Sequence, residues 1–150
     1  LSLQVIMEVV VLLLLSAVAQ LVGSAPSPNL SAEALRLDLK RVIDGVQKFN
    51  KSFANEYFVE DVSDLVDAGC KVRRIFCHHL NILHKHEKFE HSKDNEALVN
   101  ILKHVLNKLN VNCTEFVKTS KPSVTKPIPV LLENLKVCSQ KRNTCLPGNC

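Results

Sequence analysis

Leu35, Leu39, Val42, Val46 and Phe49 recur at intervals of four, three, four and three, which places them on one stripe of a helix over residues 31–49. Ser31 is its candidate N-cap, and Glu33 in the first turn meets the positive end of the helix dipole. A second helical pattern begins near Asp64 and carries Leu65, Val72, Phe76, Leu80 and Leu83 on one side before fraying among the charges from Lys85 onward. The third is the cleanest: after the candidate cap Asp94 come Leu98, Ile101, Leu102, Val105, Leu106 and Leu109. The fourth follows Pro127 and Pro129, residues suited to opening a helix, and runs through Leu131, Leu132, Leu135 and Cys138 towards Arg142.

The connections between these patterns set the topology. About a dozen residues (51–63) separate the first two helices, a few polar ones (90–93) the second and third, and nearly twenty (110–129) the third and fourth. A short link makes neighbours antiparallel, whereas long links let consecutive helices run parallel. The pattern predicts an all-α, up-up-down-down four-helix bundle with two long crossovers. Tyr57, Phe58 and Val59 in the first crossover and residues 119–125 in the second are candidate short strands that pair with one another. Only four glycines in 150 residues exclude the glycine-rich loops of a nucleotide-binding fold, and the 5% aromatic content argues against a β-sandwich.

Residues 9–19 form an uncharged, mostly apolar run of the length of a secretory signal core, short of the roughly 20 residues of a membrane span. Small residues at Ala17, Ala19, Gly23, Ser24 and Ala25 offer cleavage after Ala19 or after Ser24. We therefore expect residues 1–24 to be a signal peptide, with Met7 the true start, and residues 25–150 to be the helical domain of a secreted, extracellular protein. Losing this segment removes Glu8 but no Lys or Arg, so the net charge rises from +4 to +5. That surplus is too mild to require a nucleic-acid partner.

In an oxidising compartment the six cysteines imply disulfides rather than zinc, since no C-x-x-C pair exists. Cys70 and Cys77, seven residues apart, fall on one flank of the second helix near its start. In the expected bundle that start lies beside the end of the third helix, so Cys113 reaches one of them, Cys77 by preference. Cys70 is left to meet Cys138 or Cys145, and Cys150 has no assigned partner. Asn29, Asn50 and Asn112 each open an N-glycosylation triplet.

Phe76-Cys77, the His- and Lys-rich run His84-Lys85-His86-Glu87-Lys88, Ile101-Leu102-Lys103-His104-Val105, Leu109-Asn110-Val111-Asn112-Cys113 and Leu131-Leu132-Glu133-Asn134-Leu135-Lys136 occur in that order. In order and spacing this set resembles the short-chain helical cytokines of the interleukin-4 and interleukin-13 family, and its cysteine pattern is most similar to that of the fish interleukin-4/13 proteins. The first helix resembles the family only in length and amphipathicity. The family's disulfide from the second helix to the segment after the third falls on Cys77 and Cys113. The cysteines that interleukin-4 carries before and after its first helix have no counterpart.

The resemblance implies no catalysis and no cofactor. It implies a monomer that cross-links two type I cytokine receptor chains, an interleukin-4 receptor α type and a second chain, to trigger kinase signalling. The α-chain face would be built by Lys103, His104, Asn107 and Lys108 on the third helix with Glu33, Leu37 and Asp44 on the first. Asn107 stands where the family has its strongest basic contact. The second chain would meet Lys136, Gln140 and Arg142 on the fourth helix.

The histidines at positions 78, 79, 84, 86 and 91 never fall four apart, so they do not form a two-ligand zinc face and read as a solvated, pH-sensitive surface. Asp61, Asp64 and Asp67 lack the Gly and terminal Glu of a calcium loop, so no metal is expected. Two other readings fit a secreted basic helical chain: a host-defence or lipid-binding protein, and a cytokine of the interleukin-2 group. The first needs its cations segregated on one amphipathic face, but here they are interspersed with acids over all four helices, and stable membrane insertion is not expected.

Overall fold

The computed structural model describes residues 3–4, 6–7, 31–51, 57–86, 93–116 and 124–146. The elements are α1 (Ala32–Lys51), β1 (Phe58–Glu60), α2 (Ser63–Asp67), α3 (Val72–Lys85), α4 (Lys93–Lys108), a 3-10 turn (Cys113–Glu115), β2 (Thr125–Pro127) and α5 (Ile128–Thr144). Most of the expected leader, Asn29, His91, Cys150 and residues 119–123 of the expected second strand lie outside the described residues.

The apolar stripe of α1 is buried throughout, from Leu35 to Phe49. Ser31 caps it, its Oγ accepting from the Ala34 amide at 3.1 Å. Asp94, expected as the cap of α4, instead lies inside its first turn, where a carboxylate still faces the positive pole.

The second pattern is two helices rather than one. α2 ends in a Schellman turn: Gly69 takes a left-handed φ of 92°, the Cys70 amide donates to the Leu65 carbonyl and the Gly69 amide to Val66. Cys70 is itself left-handed, at φ 55°, so it sits in the turn ahead of α3 and not on a helical flank shared with Cys77. The same device closes α4, with Asn110 at φ 51° and the Val111 amide donating to the Leu106 carbonyl.

Polar contacts fix the helix directions. Asp38, near the start of α1, pairs with Lys108 at the end of α4, and Arg36 donates to the Leu146 carbonyl beyond α5. His79 of α3 meets the Leu131 carbonyl near the start of α5, while Cys77 is bridged to Cys113 beyond α4. Thus α1 and α3 run parallel, and both oppose α4 and α5. Each of α1 and α3 packs on both α4 and α5, leaving α1 and α3 diagonal across one core. This is the expected up-up-down-down order.

The crossovers meet as an antiparallel ribbon, Phe58 opposite Pro127, Val59 opposite Lys126 and Glu60 opposite Thr125. The second strand therefore begins later than the 119–125 segment suggested. Pro127 and Pro129 flank the α5 entry, and the Ile128 amide donates to the Tyr57 carbonyl at 2.8 Å, tying ribbon to helix.

Candidate functional site

The outer stripe of α1 exposes Glu33, Leu37, Lys40, Asp44 and Lys48, because the opposite stripe is consumed by the core. Leu37 is 51% exposed. It borders a hollow of about 460 Å3 also lined by Arg36, Lys40 and Asn143, so it lies towards the seam with α5 rather than the α4 side. On α4, Glu96, Asn100, Lys103, His104 and Asn107 are all exposed. The packing of α4 on α1 brings these two helices into one side of the bundle.

Lys108 differs from its neighbours. Its ammonium is 2.8 Å from one carboxylate oxygen of Asp38, and Arg41 reaches the other at 3.2 Å. Asp38 is 1% exposed, so it is a buried charge neutralised from two sides where α1 meets α4. Removing a carboxylate from water is costly, and paired hydrogen bonds to both oxygens offset that cost. Lys108 is therefore a positioning residue of the seam. Asp38 escapes a periodicity reading because it borders the apolar stripe, three residues after Leu35 and four before Val42; the base three residues on, Arg41, is the signal that it is paired.

On α5, Lys136 is half-buried and bonded to Glu133, 3.3 Å away one turn earlier. Gln140 and Arg142 are exposed, and Val137 among them is 38% exposed. Asn50 is exposed at the end of α1. Asn112 is exposed too, its side-chain oxygen accepting from the Thr114 amide and hydroxyl, so this triplet is folded into the turn around the bridged Cys113.

The described histidines do not share one solvated face, which corrects the sequence expectation. His79 is fully buried, its ring nitrogens 2.7 Å from the Ile75 carbonyl and 2.9 Å from the Leu131 carbonyl. A neutral ring has one N–H and donates to only one of them. Burial pushes its pKa down to about 4, outweighing the opposing effect of the two carbonyls. Three residues after Phe76 and four before Leu83, His79 falls on the α3 stripe, which was the available signal. His78 and His86 are partly buried, and burial lowers both pKa values, with Arg74 and Lys85 respectively adding to the effect. His84 is exposed. In the first crossover, the Ser63 hydroxyl bond holds the Asp61 carboxylate below its usual range, helped by Lys126 at 3.2 Å.

Cys70 is bridged to Cys138 and Cys77 to Cys113, at Cα separations of 5.1 and 5.2 Å. Geometry thus selects Cys138 over Cys145, which is itself disulfide-bonded. Among the described residues no group of three or more His, Cys, Asp or Glu side chains is placed to share a metal ion, and no helix is long and apolar enough to cross a membrane. In comparisons with family profiles, curated proteins and solved structures, nothing matches this chain.

Proposed function

We propose that this chain is a secreted cytokine of the interleukin-4/13 type that binds an interleukin-4 receptor α-type chain and a second type I receptor chain, and triggers signalling by bringing them together. The observation that carries this reading is the up-up-down-down bundle whose two crossovers pair as a ribbon, with Cys77 tied to Cys113. Lys103, His104 and Asn107 on α4 with Glu33 and Asp44 on α1 are exposed for one partner, and Gln140 and Arg142 with Leu37 are exposed for another. Lys136 and Lys108 contribute from the edges of these surfaces, held by Glu133 and Asp38. Mixed charges on such faces speed association and reject wrong partners more than they add affinity.

The test is surface plasmon resonance of folded, oxidised protein against the cognate interleukin-4 receptor α ectodomain. Saturable binding that slows on changing Lys103 and His104 to Glu supports the reading. Absence of binding, together with leakage of lipid vesicles at low micromolar protein, would transfer it to the host-defence class.

A further inference from the structure

At the end of the bundle where α3 begins and α5 stops, a cleft of about 900 Å3 is bordered by Lys71, Arg73, Arg74, Lys141 and Arg142. Two stretches remote in sequence supply these cations, and the Cys70–Cys138 bridge brings them together: Lys71, Arg73 and Arg74 follow Cys70, and Lys141 and Arg142 lie about one turn beyond Cys138. Glu115 is the only acid lining the cleft among the described residues. Among the described residues the ion pairs use Arg41, Lys85, Lys108, Lys126 and Lys136, so none of the five cleft cations is neutralised by a carboxylate.

Three of these cations also stand at an unfavourable place. α3 has no acid in its first turn, and Lys71, Arg73 and Arg74 crowd its positive pole, where cations oppose the helix dipole. Like charges gathered without a partner repel one another, and a ligand of opposite sign removes that repulsion. Arginine forks take sulfate-type oxyanions in paired hydrogen bonds, which lysines supplement as point charges.

We propose that this cleft binds a sulfated polysaccharide of the heparin type. A linear chain bearing several sulfate and carboxylate groups per repeat matches a cleft lined from two sides by separate cations. An anionic bilayer matches less well, because among the described residues none of the exposed large apolar side chains lines the cleft, and the apolar residues that do, such as Val72, Leu109 and Phe116, are part-buried. A single-stranded nucleic acid needs stacking platforms, and among the described residues the lining offers only the part-buried rings of Phe116 and His78. Lys71, Arg73, Arg74 and Lys141 belong to neither receptor face, and Arg142 alone of the five cations is shared with the second-chain face.

The test is retention of the full chain on immobilised heparin, with elution by a sodium chloride gradient, followed by affinity measurement at about 0.15 M salt. The unaltered protein is retained at that salt. Arg73→Ser combined with Arg74→Ser lowers the eluting salt and weakens affinity about tenfold or more, because fewer counterions are released on binding. The charge-matched control is Lys48→Ser with Lys93→Ser, at the opposite end of the bundle, and it leaves elution nearly unchanged. Circular dichroism of both variants confirms that the helices persist. An equal loss in the control, no retention of the unaltered protein at that salt, or equally tight binding to phosphatidylserine vesicles would each overturn the proposal.

Discussion

Asp38 on α1 and Lys108 on α4 are joined at 2.8 Å across a seam in which the carboxylate is buried and the ammonium remains one-third exposed. The two partners therefore lose different amounts when the other is removed. Asp38→Asn leaves Lys108 and the half-exposed Arg41 free to hydrate, and costs about 1–2 kcal/mol. Lys108→Met leaves a buried charge with Arg41 alone, and costs about 2–3 kcal/mol. Urea denaturation of the two single variants measures this asymmetry; equal losses would mean that the carboxylate is hydrated after all.

His79 gives the fold a defined acid sensitivity. Its folded pKa of about 4 lies below the ordinary value of 6.5, so the unfolded chain takes up a proton first as the pH falls. The stability it contributes is complete above pH 6.5 and is lost on the way down to about 4, at up to about 1.4 kcal/mol per pH unit. Between pH 7 and pH 5 the unaltered protein loses about 2 kcal/mol from this site. His79→Gln retains a donor for one carbonyl but does not titrate, so its stability falls less over the same interval. His78 and His86 shift in the same direction and are present in both proteins, which leaves the difference to His79.

Gly69 isolates a purely backbone effect. A Cβ built there meets no atom within 4 Å, yet φ is 92°, a region L side chains rarely adopt. Gly69→Ala destabilises by about 1 kcal/mol through conformation alone, and Gly69→Asn by less. Thermal unfolding of the two variants gives the ranking.

The Cys77–Cys113 bridge spans 36 residues, and chain-entropy arguments assign it up to about 4 kcal/mol. Replacing both cysteines by Ser lowers the unfolding free energy by an amount approaching that figure. Proteolysis under non-reducing conditions followed by mass spectrometry should find Cys77 joined to Cys113 and Cys70 to Cys138. A Cys70–Cys145 link would contradict the Cys70–Cys138 bridge while leaving the bundle topology intact.

Periodicity was enough to place α1, α4 and α5 and, through the link lengths, their directions, because those helices bury regular stripes such as Leu98, Leu102 and Val105. The break between α2 and α3 was missed because Leu65 and Val72 are themselves seven residues apart, an interval that continues a helical stripe straight through Gly69. The ribbon was legible at Phe58 and Val59 but not in register, which depends on the Tyr57 carbonyl receiving the Ile128 amide. At the candidate surfaces, exposure followed from the opposite stripe being core. Burial of Asp38 and His79 did not, since a polar side chain beside a stripe is buried only if the fold brings it partners from another helix.

Of the six cysteines, none lies in α1. α3 is fastened covalently to α5 through the bridge just before it and to the end of α4 through the bridge within it. Three of the four long helices among the described residues therefore remain linked whatever happens to their packing. α1 is retained by apolar contacts, by Asp38 and by the Arg36 bond to Leu146. Local opening should thus begin at α1, and its amides should exchange with deuterium at a lower free energy than those of α3. Among the described residues of the oxidised chain, α1 is the one long helix whose loss would leave the others still connected as closed covalent rings.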